Sequence, residues 1–291
     1  YPNNYTTMKH FFYILFFCMG LAPLESQNNF EYWQQHVDYT MNVKMDVNTF
    51  NYGGSQKLIY TNNAPEDLER VFYHLFYNAF QPGSEMDVRS TTIADADPRV
   101  GDRISKLQKE DFGFINIVSL TQNKKPVSYI VVGTVLEVEL NEPIKSGESA
   151  VFEMVFDGQV PPVIRRAGKN SNEGVALSMA QWYPKMAEYD FEGWHADPYI
   201  GREFHGVWGN FDVKLTLDKN YTVGGTGYLQ NPNEIGHGYG IKDTKSDSDL
   251  LTWHFVAPNV HDFTWAADPN FVHDTLQVPN GPMLHFLYKK S

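Results

Sequence analysis

The sequence predicts an all-β protein built as a large antiparallel β-sandwich. From residue 37 to residue 47 every second side chain is apolar and those between are polar, a period of two that buries one face of a strand. The alternation recurs along the chain, and no stretch keeps the apolar spacing of a helix over about twelve residues. Strands are predicted at 37–47, 56–61, 68–77, 114–120, 127–132, 134–140, 150–156, 211–217, 250–256 and 263–267.

Turn-forming residues and long polar stretches separate the predicted strands. Residues 51–55 (NYGGS) and 143–149 (PIKSGES) contain the Gly, Pro, Asn and Ser that reverse a chain between strands. Residues 78–103 and 159–174 carry Pro and Gly among many polar side chains, and we predict long surface loops there. The positions expected in the core are Val43, Phe152, Met154, Val213, Leu215, Trp253 and Phe263.

Composition argues against several classes of function. The formal net charge of −12 disfavours a nucleic-acid-binding surface, which needs clustered Lys and Arg. The aromatic share of 15% supplies large apolar areas for a core. The one cysteine, Cys18, lies in the apolar N-terminal stretch. A mature chain without that stretch has no disulfide, no cysteine nucleophile and no cysteine-ligated metal.

Residues 8–26 are predicted to be a signal peptide. A short basic start is followed at residues 11–21 by an apolar run (FFYILFFCMGL), which suits a signal sequence and is shorter than the about 20 residues of a membrane span. We expect cleavage after Ser26, export to the periplasm or the extracellular space, and no membrane span in the mature chain. Lipidation of Cys18 stays open, although Phe17 is not the small residue that a lipoprotein signal carries there.

The histidines form no standard catalytic or metal-binding motif. None of the ten is followed by Glu, so the sequence contains no H-E-x-x-H helix that presents two imidazoles to a zinc ion. Residues 195–205 hold four side chains able to bind a cation, but their spacing is not a standard one for metal ligands. We therefore expect no metal ligand and no catalytic residue in this chain, with a cation at this cluster as the open alternative. The four side chains are His195, Asp197, Glu203 and His205.

Three stretches, taken together, resemble one family. Residues 178–184 are SMAQWYP, residues 209–229 are GNFDVKLTLDKNYTVGGTGYL, and residues 256–269 are VAPNVHDFTWAADP. In order and spacing they are similar to three parts of the N-terminal domain of aminopeptidase N-type zinc metallopeptidases: the substrate-side segment, a closing strand-and-turn element, and the last strand. The Q-W-Y-P-K run at 181–185 resembles a bacterial branch of that family. The resemblance covers residues 30–291.

The resemblance implies a domain organisation. Residues 1–7 are interpreted as non-native or upstream read-through, 8–26 as the signal peptide, 30–275 as a saddle-shaped β-domain, and 276–291 as the start of a crossover to a missing thermolysin-like catalytic domain. In the family that domain carries H-E-x-x-H and G-x-M-E-N. Zinc is implied for the parent protein, where it activates a water molecule to remove N-terminal residues from peptides. No zinc is implied for this fragment, which alone is expected to be inactive.

The resemblance also implies two substrate-binding residues. In the family a Gln and, two residues on, a Glu reach the pocket for the first side chain of the peptide substrate, and the matching positions are Gln181 and Tyr183. Tyr183 departs from the pattern because a phenol supplies no carboxylate to an amine, so it either shapes the pocket or packs at the domain seam. Without its partner domain, such a segment should expose several of its six aromatic side chains. These are Trp182, Tyr183, Tyr189, Phe191, Trp194 and Tyr199.

A self-standing, non-catalytic β-sandwich that binds or scaffolds other molecules is the alternative. Aromatic-rich loops suit a sugar- or peptide-binding module as well as part of an enzyme. The coding sequence beyond Ser291 separates the two interpretations. The aminopeptidase interpretation alone requires the reading frame to continue into G-x-M-E-N and H-E-x-x-H.

Overall fold

The computed structural model describes residues 32–201, 205–240 and 248–290. The interpretations of residues 1–7 and 8–26 lie outside these ranges and stay predictions. Within the described ranges no helix is long and apolar enough to cross a bilayer.

β-strands dominate the described residues, which confirms the all-β expectation. Two α-helices are present there, α1 (Glu85–Thr92) and α2 (Pro232–Ile235), together with short 3-10 turns. The strands are β1 (His36–Asp46), β2 (Asn51–Thr61), β3 (Leu68–His74), β4 (Phe114–Gln122), β5 (Lys125–Pro126), β6 (Ser128–Val132), β7 (Val135–Ile144), β8 (Ser149–Gln159), β9 (Gly168–Lys169), β10 (Leu177–Met179), β11 (Lys185–Met186), β12 (Tyr189–Asp190), β13 (Gly193–Trp194), β14 (Gly209–Asp218), β15 (Thr222–Gly225), β16 (Tyr228–Leu229), β17 (Leu250–Val260), β18 (Trp265–Asp268), β19 (Val272–Gln277) and β20 (Met283–Tyr288).

The largest sheet has eight strands in the order β16-β17-β14-β1-β2-β8-β4-β5. One of its faces is apolar and buried and the other is largely polar, as the period-two alternation predicts. Its strand pairs are antiparallel except for β1 and β14, which run parallel with Tyr39 opposite Phe211 and Val43 opposite Leu215. A parallel pair requires a long crossover instead of a hairpin. The chain between these two strands builds most of the second layer.

Two four-stranded sheets pack on the buried face of the large sheet. One has the order β11-β3-β7-β6, and the ring of Tyr73 on β3 lies 6.3 Å from that of Phe152 on β8. The other has the order β15-β18-β10-β9, and the ring of Phe263, just before β18, lies 6.2 Å from that of Phe211 on β14. The two layers form the predicted sandwich, and all seven side chains expected in the core are buried.

The turn predicted at residues 51–55 is wrong, because those residues lie inside β2. The chain reverses at residues 47–50 instead, where Asp46 Oδ1 accepts a hydrogen bond from the Asn48 N–H at 2.9 Å. A Cβ on Gly54 would lie 2.6 Å from a backbone carbonyl oxygen of β1. Glycine is needed there for the close approach of two strands and not for a turn.

The surface loop predicted at residues 78–103 contains a helix and part of the core. Helix α1 begins after Ser84, whose side chain accepts a hydrogen bond from the Asp87 N–H at 3.2 Å, and such a cap stabilises the first turn of a helix. The capping serine is the local sequence feature that indicates this helix. The Pro and Gly around it favour a loop prediction instead. Buried apolar side chains of the same stretch are Phe80, Met86 and Val100.

A side chain at Gly209 should disrupt the parallel pair in the large sheet. Its Cβ would lie 1.7 Å from the carbonyl oxygen of Val37, a backbone atom that moves only if β1 moves. We expect Gly209→Ala to lower the free energy of unfolding by about 3 kcal/mol, the upper end for overpacking, in urea denaturation. Gly53→Ala is the control, because its Cβ would meet its nearest neighbour in the same sheet at 3.4 Å. Equal losses in the two variants would contradict the steric explanation.

Candidate functional site

Residues 180–195, here termed the linking segment, connect the two smaller sheets. The segment leaves β10, which pairs with β18, and then enters β11, which pairs with β3. It ends in the hairpin β12-β13, where Tyr189 pairs with Trp194. Both residues predicted to bind substrate, Gln181 and Tyr183, lie in the stretch between the sheets, and both are buried.

Trp182 anchors the linking segment to both layers of the sandwich. Its indole is fully buried, and its Nε1–H donates to the carbonyl oxygen of Phe263 at 3.1 Å. The backbone carbonyl oxygen of Trp182 accepts a hydrogen bond from the hydroxyl of Tyr52, on β2, at 2.5 Å. The indole also meets the ring of Trp265, on β18, edge to face at 6.2 Å. These contacts fix this part of the segment in one position.

Asp262 lies beside the Tyr183 side chain and binds several groups. Its Oδ1 accepts hydrogen bonds from the Tyr183 hydroxyl at 2.8 Å and from the Phe263 N–H at 2.9 Å, and Lys185 Nζ lies 3.4 Å from the same oxygen. Burial raises the pKa of Tyr183 well above its ordinary value and the Asp262 charge adds to that rise, so the phenol stays a neutral donor. Burial lowers the pKa of Lys185, and Asp262 opposes that shift. Gly206 leaves room for Lys185, since a Cβ there would lie 2.5 Å from the lysine Cε.

Gln181 combines two unfavourable features. Its φ is 62°, in the left-handed region that side chains other than Asn and Asp rarely adopt. Its side chain is buried, and the amide Nε2 has no hydrogen-bond partner in the described part of the chain. The backbone conformation and the orphaned amide each cost about 1–3 kcal/mol. Such features cluster at functional sites, so they favour a role for Gln181 beyond the fold.

The expectation that several aromatic side chains of the linking segment and its surroundings are exposed is wrong for most of them. Phe191 alone among the six is exposed, at the tip of the hairpin β12-β13. Trp182 and Tyr183 pack against rings of the large sheet, because this part of the segment runs through the interior and not over the surface. Trp182, Tyr183 and Tyr199 are buried, and Tyr189 and Trp194 are half-buried.

The histidine cluster forms around a different carboxylate from those that the sequence suggests. Asp190, His195 and His205 each bring one possible ligand atom within 4.8 Å of the others. Asp197 is exposed and is not in this group, and Glu203 lies outside the described residues. Asp190 stands before the run that holds the histidines, and only the β12-β13 hairpin returns the chain beside it. A pattern search restricted to that run therefore misses it.

The three stretches that carry the family resemblance meet at β18. Residues 178–184, 209–229 and 256–269 are separated along the chain. In the sheet, residue 265 of β18 pairs with Met179 of β10 on one side and with Gly225 of β15 on the other. The order β15-β18-β10 thus places one strand from each stretch side by side.

No known protein family and no curated protein matches this sequence. Similar solved structures include an M1 zinc metallopeptidase from Deinococcus radiodurans, with 14% identity and a TM-score of 0.46, covering 87% of this chain and 46% of that chain. A mutant of that enzyme bound to a Tyr-Ser-Ala substrate gives 14% identity and a TM-score of 0.45, covering 87% and 46% of the two chains. This chain thus spans about half the length of these proteins. At these values the similarity establishes neither a shared activity nor shared site residues.

Loss of the Tyr183 hydroxyl should destabilise the chain. In Tyr183→Phe the Asp262 carboxylate loses a charge-assisted hydrogen bond, and we expect the free energy of unfolding to fall by about 1.5–3 kcal/mol in urea denaturation. Tyr73→Phe is the matched control, because the Tyr73 hydroxyl is also buried and has no hydrogen-bond partner within the described ranges. That variant should be unchanged or more stable. If the two variants lost equal stability, the bond to Asp262 would be contributing nothing.

Proposed function

We propose that this chain is the N-terminal, substrate-side domain of an exported zinc aminopeptidase that removes N-terminal residues from peptides. The sequence has no H-E-x-x-H motif to hold the catalytic zinc, so the ion and its ligands belong to a separate thermolysin-like domain of the same protein. No step of the hydrolysis is assigned to residues of this chain. Its part is to form one wall of the pocket that receives the first side chain of the peptide.

The observation that carries the proposal is the meeting of the three family-like stretches at β18. Chance similarity in separate parts of a sequence has no reason to fall on neighbouring strands. Residues that build one surface together must be neighbours in space, however far apart they lie in the chain. The adjacency of β15, β18 and β10 is therefore what a common substrate-side element requires.

Gln181 and Tyr183 are the residues that we assign to the substrate side. The orphaned Gln181 amide would gain a hydrogen-bond partner from a polar group of the substrate, which would offset the cost of its burial. The Tyr183 hydroxyl is already bonded to Asp262, so this side chain shapes and supports the wall and does not bind the substrate amine. Both side chains are covered in this chain. Contact with substrate therefore requires the Gln181 side chain to turn outward.

The exposed apolar side chains of the hairpin β19-β20 support the proposal of a neighbouring domain. Residues 276–291, interpreted as the start of the crossover, include most of this hairpin. It keeps five large apolar side chains between 38% and 56% exposed, and apolar side chains concentrated in this way are typical of a surface that another domain covers. The five are Leu276, Met283, Leu284, Phe286 and Tyr288.

The coding sequence downstream of Ser291 tests the proposal directly. We expect the reading frame to continue into a segment with G-x-M-E-N and H-E-x-x-H, and the longer protein to hydrolyse aminoacyl-nitroanilides in a zinc-dependent way. A stop codon directly after Ser291 would contradict the proposal and favour the self-standing binding module. A continuing frame without these motifs would likewise remove the peptidase assignment.

The role of Gln181 has a separate test in the longer protein. Glycine adopts a φ of 62° without strain, so Gln181→Gly should raise the stability of the domain by about 1 kcal/mol. It should also raise KM about tenfold with kcat unchanged, the effect of losing one hydrogen bond that is equal in ground state and transition state.

Lys124→Gly is the matched control for Gln181→Gly. Lys124 has a φ of 67° and is exposed in the turn between β4 and β5, so its replacement should add stability and leave KM unchanged. An unchanged KM in Gln181→Gly would show that Gln181 does not contact the substrate. It would leave the assignment of the domain intact.

A further inference from the structure

The β12-β13 hairpin orients a carboxylate toward a histidine. Asp190 pairs with Gly193, whose φ of 98° allows the tight reversal between them. Within this turn Asp190 Oδ1 accepts a hydrogen bond from the Glu192 N–H at 2.8 Å. The other carboxylate oxygen, Oδ2, lies 2.8 Å from His195 Nε2. The turn therefore fixes the carboxylate and leaves one of its oxygens for the imidazole side.

His195 is held in place through its backbone. Its N–H donates to the carbonyl oxygen of Glu188 at 2.9 Å, and its carbonyl oxygen lies 3.1 Å from His74 Nε2. The ring atom Nε2 is shielded from solvent and has no well-formed hydrogen bond in the described part of the chain, although Asp190 Oδ2 is close. A metal ion between the two groups would bind both the imidazole nitrogen and the carboxylate oxygen.

His205 completes the group from a separate part of the chain. Its ring centroid lies 4.5 Å from that of His195 with the planes tilted by 45°, and its side chain is exposed and free to adjust. One possible ligand atom from each of the three residues lies within 4.8 Å of the other two.

Two other pairs of the described chain that include a histidine are already hydrogen-bonded. His254 Nε2 makes a hydrogen bond of 2.8 Å to Asp212 Oδ1. His273 Nε2 and His285 Nδ1 are bonded to each other at 2.8 Å. Neither pair joins a third ligand group, and within the described residues the Asp190 group is the one cluster of three possible metal ligands. In both of these pairs the histidine nitrogen is therefore already occupied by a hydrogen bond.

We propose that Asp190, His195 and His205 form a binding site for a divalent transition-metal ion, with Zn²⁺ as the ion that fits best. Two imidazole nitrogens and one carboxylate oxygen are a ligand set that zinc accepts, with a water molecule in the fourth position. Zinc–ligand distances of about 2.0–2.1 Å place tetrahedral ligand atoms about 3.3 Å apart. Asp190 Oδ2 and His195 Nε2, 2.8 Å apart, would separate by about 0.5 Å to reach this spacing, and the exposed His205 side chain has the freedom to follow. The proposal takes up the open alternative of a cation at this cluster, with Asp190 as the carboxylate ligand.

The site would join the β12-β13 hairpin to the stretch that begins at His205 and leads into β14. It lies in the chain described here and uses no residue of a catalytic domain, so it is independent of the proposed peptidase function. Its ion would stabilise the hairpin next to the linking segment, since an ion that binds only the folded state adds its binding free energy to stability.

Zinc titration of the purified, metal-free chain by calorimetry tests the proposal. We expect one Zn²⁺ per chain and a thermal transition that moves upward with added zinc. Asp190→Asn and His205→Ala should each weaken binding about 100-fold or more, since loss of a residue that only supports a metal ligand already costs 10–100-fold. His205→Ala keeps the test valid if other variants unfold, because this exposed side chain contributes little to the core.

His254→Ala is the matched control, since His254 also lies 2.8 Å from an aspartate but lacks a third ligand. It should bind zinc as the unchanged chain does. Co²⁺ provides a second readout, because a four-coordinate site with these ligands gives visible absorption that His205→Ala should abolish. The proposal is overturned if the chain takes up no stoichiometric zinc, or if His205→Ala and His254→Ala bind it alike.

Discussion

The carboxylate of Asp262 holds the linking segment in place, at the point where the chain turns from β17 toward β18. Its side chain is only 15% exposed, so an unpaired charge there would be costly. The Tyr183 hydroxyl, the Phe263 N–H and the Lys185 ammonium surround one of its oxygens. Two of these groups come from the linking segment and one from the approach to β18. The Asp262 carboxylate therefore connects the two smaller sheets. Removing either the carboxylate or the groups around it would leave the remaining partner unsatisfied.

The unusual conformation of Gln181 lies directly before the residues that anchor the linking segment. Adjacent side chains in an extended strand point to opposite faces. Trp182 and Tyr183 are adjacent, yet both reach the same short stretch, one bonding the Phe263 carbonyl oxygen and the other the Asp262 carboxylate. Both bonds form only if the backbone between Trp182 and Tyr183 departs from strand geometry, and the residue directly before them, Gln181, is in the left-handed conformation. A glycine would satisfy the geometry with less strain.

Sequence patterns predict the large sheet well because alternation is a local property. The inward residues of β1 and β14 follow directly from the period of two. The patterns fail where contacts between distant residues decide the structure. Strands β11 and β12 have two residues each, too few for any period, and exist only through their pairing. Asp190 joins His195 for the same reason, since a hairpin and not the spacing in the sequence brings them together.

His74 connects the contacts around Asp262 to the group formed by Asp190, His195 and His205. Its backbone pairs with that of Lys185, and its ring Nε2 lies 3.1 Å from the carbonyl oxygen of His195. Burial, with Lys185 adding to the effect, lowers the pKa of His74 to about 4, so the ring is neutral near neutral pH. A neutral ring that contacts a carbonyl oxygen must donate from that nitrogen, which places its one proton on Nε2. The strand pair that brings Lys185 to Asp262 thereby also contacts His195, so the proposed metal-binding group and the linking segment share one support.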